Sequence, residues 1–185
     1  REINNLYNDL VEGSYQKLNE NEKEIIKDSL IIAYNAHDGQ LRKSGEPYIY
    51  HPLGVAKIVS HNIGLDCDSI SAALLHDVVE DTKLTGKDIK KAVGKNIAKI
   101  VDGLTKISTL SKSKDHSIQA ENYRRMLLTL HNDIRVILIK IADRLHNMRT
   151  IEYLDDIKKE KIASESLYIY APLAHRVWLF NLKNE

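Results

Sequence analysis

Apolar residues recur three and four apart along most of this chain, the spacing that one face of an α-helix presents. Ile25, Ile26, Leu30, Ile32 and Ala33 form such a stripe and predict a helix over residues 21–37. Leu53, Val55, Ala56, Ile58 and Val59 continue the pattern behind Pro52, which suits a first helical turn, and Gly64 stops it. Asp68 reads as the N-cap of a helix over 69–79. Thr85 and Asp88 make a capping box with Asp in the place of Glu, opening a short helix that ends near Gly94, and 95–107 is a further helical stretch. Residues 108–117 are polar, with Ser and Lys alternating, and read as a mobile loop; 118–130 carry Tyr123, Met126, Leu127 and Leu130 at helical spacing. The run from Val136 to Ile141 is β-branched enough for a strand, but the apolar pattern goes on through Ala142, Leu145 and Met148. One long helix over 134–150, begun at Asp133, is therefore predicted. A last helix covers 158–176, interrupted by Pro172. The sum is an all-α domain of roughly eight to ten helices.

Composition narrows the class without naming a chemistry. A chain of 185 residues with 43% hydrophobic and 29% charged residues suits one globular domain rather than a disordered segment. A net charge of +1 argues for neither nucleic acid nor a membrane surface, and leaves room for a local basic patch that grips phosphate. Cys67 is the one cysteine, so no intrachain disulfide forms, which fits a reducing, cytoplasmic setting. No apolar run approaches the roughly 18–20 residues that span a bilayer. The chain begins at Arg1 and stops at Glu185 in helix-like sequence, as a piece of a longer protein would.

Four segments hold side chains fit for chemistry. In His76-Asp77-Val78-Val79-Glu80-Asp81, helical spacing stacks Asp77 on Asp81 and His76 on Glu80. Concentrated acid on a largely apolar helix is costly to bury, and a divalent cation would neutralise it; imidazole with carboxylate suits Mn, Fe or Zn. A helix end facing water is the competing explanation. Asp143 follows a nearly apolar run, and Asn147 and Thr150 share its helical face, so one wall could offer a metal ligand, an amide and a hydroxyl. Alternatively, Asp143 pairs with Lys140 or Arg144 in a buried salt bridge. Arg42, Lys43 and Ser44 sit at a Ser-Gly turn where cations can converge on phosphate. His51-Pro52 is the fourth segment. His146 falls three residues beyond Asp143 and reads as a support for the ligands rather than as one of them. His37, His61, His116, His131 and His175 have no comparable context.

Several longer strings bear a more specific resemblance. Residues 36–40, 42–49, His51-Pro52, 74–82, 101–106, 119–122 and 140–150 occur in the order and spacing of the hydrolase domain of long RelA/SpoT homologues, a branch of the HD superfamily. The resemblance implies that His51, His76, Asp77 and Asp143 bind one Mn²⁺, and that Glu80 and Asp81 handle the attacking water. It implies that Arg42, Lys43, Ser44, Asn147 and Thr150 contact guanosine and phosphate. The implied substrate is guanosine tetra- or pentaphosphate, whose 3′-pyrophosphate is removed. The implied partners are a C-terminal synthetase domain and a regulatory region of the same protein. Val177-Trp178 departs from the family's usual Leu-Gly after Ala-His-Arg. Two rivals remain: an HD phosphohydrolase acting on another nucleotide, and a silent alarmone sensor.

Overall fold

The computed structural model describes residues 2–111, 133–177 and 179; the predicted helix over 118–130 and residues 119–122 lie outside them. In chain order the helices are α1 (Glu2–Glu12), α2 (Glu20–Ala36), α3 (Tyr50–Lys57), α4 (Cys67–Leu74), α5 (Val78–Asp81), α6 (Gly86–Val93), α7 (Lys95–Ser111), α8 (Ile134–Arg149), α9 (Asp156–Glu165) and α10 (Ala171–Arg176). Wide π-helical turns extend α3 over Ile58–Ile63 and join α9 to α10 over Ser166–Tyr170. Among the described residues the only extended pairing is an isolated bridge between Leu41 and Pro47. The domain is all-α, as predicted.

α4 forms the centre of the bundle, packed by α2, α3 and α7. Every residue of it except Asp68 is buried, and its Ser and Ala side chains let the surrounding helices come close. α8 crosses α3 and α7. Val136, Ile137, Ile139 and Ile141 are all buried in it. A β-branched residue costs a helix less than about 0.7 kcal/mol in propensity, whereas burying such a side chain is worth about 1.5–3 kcal/mol. Burial therefore decides for helix over strand.

The caps explain most boundaries. Asn19 and Glu22 form a capping box on α2, Thr85 and Asp88 one on α6, and Asp133 accepts from Arg135 N at the start of α8. Gly64 takes a left-handed conformation (φ 79°) at the end of the α3 extension. Three boundaries differ from expectation. The cap of α4 is Asp66, which accepts from Ser69 N and Ser69 Oγ, not Asp68. The predicted helix over 69–79 breaks at 75–77, because His76 Nδ1 donates to the Ala73 carbonyl at 2.7 Å and so satisfies the end of α4. The predicted loop over 108–117 also starts later: α7 runs to Ser111, and the rest of that stretch lies outside the described residues.

Candidate metal centre and phosphate cavity

The break after α4 swings His76 and Asp77 toward α3 and α8. His51 comes from the first turn of α3, and Asp143 from the middle of α8. Their atoms gather tightly: Asp77 Oδ2 lies 3.0 Å from His76 Nε2 and 3.5 Å from His51 Nε2. Asp143 Oδ1 lies 3.3 Å from His51 Nε2 and 3.8 Å from His76 Nε2. His76 Nδ1 donates to the Ala73 carbonyl, so Nε2 is the ring atom turned toward these carboxylates, where it can bear a proton or a metal ion. That nitrogen is buried and has no hydrogen-bond partner. Carboxylates and ring nitrogens at such distances repel unless positive charge, a proton or a metal ion, lies among them. His51, His76 and Asp77 offer ligand atoms all within 4.8 Å of one another, a donor set that fits a divalent transition metal, and Asp143 Oδ1 stands beside the two histidines.

Burial opposes charge on His76, but Asp77 and then Asp143 outweigh it and push its pKa up to about 9, so in the metal-free protein a proton on Nε2 holds the place that a metal ion would take. Burial likewise opposes the Asp77 and Asp143 charges. His76 and His51 overcome it for Asp77, and Lys140 leads for Asp143, so both carboxyls lie below their usual range. Lys140 Nζ pairs with Asp143 Oδ2 at 2.8 Å and donates to Ser108 Oγ at 2.9 Å. Asn147 Nδ2 donates to Asp143 Oδ1 at 2.8 Å. Tyr48 Oη donates to Asp77 Oδ2 at 2.6 Å and reaches Asp81 Oδ2 at 3.4 Å, which brings Asp77 and Asp81 together as helical spacing predicted. Burial first, then Asp77, raises the Tyr48 pKa and keeps it a donor.

A cavity of about 430 Å³ opens over this cluster. Glu80 and Asp81 stand on one wall, Asn147 on another, and Arg42, Lys158 and Lys161 supply cations. Arg42 is carried by a turn closed by Gly45 N–H donating to the Arg42 carbonyl at 2.9 Å, with Gly45 at φ 87°. Its guanidinium donates to Asn147 Oδ1 at 3.0 Å and lies 3.2 Å from His146 Nδ1. Lys43, Ser44 and Thr150 do not reach this cavity. They line a second one of about 220 Å³ that shares Arg42 and Tyr48 with the first. Thr150 is thus separated from the wall that Asp143 and Asn147 were expected to share with it, because its hydroxyl turns back to the His146 carbonyl at 3.2 Å.

Sequence reasoning did not single out Tyr48 or the two cavity lysines of α9. Tyr48 lay inside a recognised string, but nothing local marks a tyrosine that will face an aspartate 29 residues away. His37 is buried and stacked on Tyr48, with ring centroids 4.5 Å apart. His61 meets the Leu10 carbonyl at 3.0 Å, and His175 is exposed on α10. His116 and His131 fall outside the described residues. Burial chiefly pushes the Cys67 thiol up to about 11, which suits a packing residue. No helix among the described residues is long and apolar enough to cross a membrane.

Two histidines and two aspartates gathered in a helical bundle, from α3, α8 and the turn after α4, make a candidate divalent-metal site of the HD type. The model of the HD domain matches residues 29–178, and the chain belongs to that family. Among curated relatives, guanosine-3′,5′-bis(diphosphate) 3′-pyrophosphohydrolase of Vibrio cholerae is 46% identical over 180 residues, covering 97% of this chain and 25% of its own length. The bifunctional (p)ppGpp synthase/hydrolase SpoT of Escherichia coli is 47% identical over 160 residues, covering 86% of this chain and 23% of its own length. The chain thus spans about a quarter of the length of these relatives. A solved structure, described as a metazoan orthologue of SpoT that hydrolyses ppGpp and plays a role in starvation responses, aligns with a TM-score of 0.60 and 26% identity, over 79% of this chain and 81% of that one.

Proposed function

We propose that this domain removes the 3′-pyrophosphate of guanosine tetra- or pentaphosphate, giving GDP or GTP and pyrophosphate. The observation that carries the reading is the cluster of His51, His76 and Asp77, with Asp143 beside it, beneath a cavity with cations at its rim, in a chain whose relatives bear that activity in their names. His51, His76, Asp77 and Asp143 would hold one divalent ion, Mn²⁺ in this reading. Bound there, it supplies positive charge to phosphate oxygens and lowers the pKa of water. Glu80 and Asp81 orient the attacking water and take its proton. The water oxygen forms a bond to the phosphorus esterified at the ribose 3′ position; that ester bond breaks, and a proton passes to the ribose oxygen. Arg42 counters phosphate charge at the junction of the two cavities. Lys43, Ser44 and Thr150 receive the nucleoside in the smaller one, and Asn147 braces both Arg42 and Asp143.

In this reading residues 1–185 form a single hydrolase unit, the N-terminal part of a longer bifunctional cytoplasmic protein with a synthetase domain and a regulatory region. The short span relative to the curated relatives supports it. Incubation with Mn²⁺ and a nucleotide panel, with products resolved chromatographically, tests the activity. Pyrophosphate and GDP from guanosine tetraphosphate are expected. Exclusive turnover of a deoxynucleoside triphosphate or of a 2′-phosphorylated nucleotide would replace this reading, and absence of any turnover by metal-loaded protein would favour a sensor.

A further inference from the structure

His146 stands at the meeting point of the two halves of the site without belonging to either. Its ring comes from α8 and presses on α3, where a Cβ at position 54 would lie 2.1 Å from His146 Nε2. Gly54 therefore seats the ring. On the other side, His146 Nδ1 lies 3.2 Å from Arg42 Nη1 and 3.0 Å from His51 Nδ1. A guanidinium has donors only. The nitrogen facing Arg42 thus carries the lone pair, and the His146 proton sits on Nε2. That same lone pair can accept from His51 only when the His51 proton is on Nδ1. His51 Nε2 is then the bare nitrogen, and it is the atom that faces Asp77 Oδ2 and Asp143 Oδ1. The Ala73 carbonyl sets His76 in the same tautomer. The two histidines of the cluster are thus fixed by different means: one by the backbone, the other by a third histidine.

We infer that His146 is a positioning residue for the metal centre: by accepting from His51 Nδ1 it holds that ring with Nε2 bare and aimed at the two carboxylates. The inference rests on the metal reading proposed above. Outer partners of metal-ligating histidines typically set affinity by about 10–100-fold. The test is calorimetric titration of metal-free protein with MnCl₂ for the parent, His146→Leu and His146→Asn, with thermal melts of the metal-free forms alongside. Leucine fills the space and offers no acceptor. Asparagine places an amide oxygen where Nδ1 stood. The parent should bind one ion, His146→Leu should bind it about 10–100-fold more weakly, and His146→Asn should recover most of the loss. Equal losses in both variants would mean that the ring only fills space, and would overturn the inference, as would parent-like affinity in His146→Leu. Both outcomes leave the metal reading intact. A parent that binds no Mn²⁺ would overturn the metal reading and this inference with it.

Discussion

Gly54→Ala is the smallest change that should disturb the centre from outside it. The added Cβ would meet His146 Nε2 at 2.1 Å and Cδ2 at 2.3 Å, whereas ordinary contact begins at 3.4 Å. The ring must therefore retreat by about 1.3 Å, or α3 and α8 must part by a similar amount. Either movement breaks the 3.0 Å contact between His146 and His51. Overpacking of a closed site costs about 1–3 kcal/mol, and the lost hydrogen bond adds about 1 kcal/mol. Alanine returns up to about 1 kcal/mol through its higher helix propensity. The expected balance is a loss of about 1–3 kcal/mol, read as a lower urea midpoint by far-UV circular dichroism with an unchanged slope. A double-mutant cycle locates the cause: in a His146→Ala background the ring is gone, and adding Gly54→Ala should cost nothing or stabilise. A Gly54→Ala protein as stable as its parent would refute the reasoning, because the close approach would then be no constraint.

Three further outcomes are expected. Asp143→Ala and His76→Ala should each abolish hydrolysis and bound metal while keeping helical circular dichroism; survival of both activity and metal content in either variant would contradict the ligand set. Glu80→Gln should keep the metal and lose about 10²–10⁴-fold in rate, and activity within a few-fold of the parent would leave Asp81 as the proton acceptor. Lys161→Ala should raise KM for guanosine tetraphosphate several-fold with little change in kcat, since an exposed cation at the cavity rim contributes about 1 kcal/mol or less; an unchanged KM would remove α9 from substrate binding.

The architecture was legible because helical periodicity and caps are local. α6 and α8 begin where Thr85 and Asp133 predict. The break before His76 was not legible, since the surrounding Leu74, Leu75, Val78 and Val79 carry an unbroken apolar pattern with neither Gly nor Pro. What ends α4 is a side chain bonding to a carbonyl three residues back, and a histidine at that position advertises nothing of the kind. The cap at Asp66 was misread because Asp68 is an equally good cap by type, two residues on. Spacing within one helix could pair Asp143 with Asn147, but it could not bring His51 to Asp77, and only the family resemblance joined those segments in advance.

Asp143 shows most clearly why residue types alone could not decide. The sequence offered a salt bridge with Lys140 or a metal ligand as rival explanations. A carboxylate has two oxygens, and here they divide the work: Oδ2 takes Lys140 at 2.8 Å, while Oδ1 faces both histidine nitrogens. The lysine offsets one of the two negative charges that meet at the histidines, and in the proposed reading the other is left for the cation. In that reading a buried ion pair beside the cluster is part of what makes it fit for metal, so the two explanations are not exclusive.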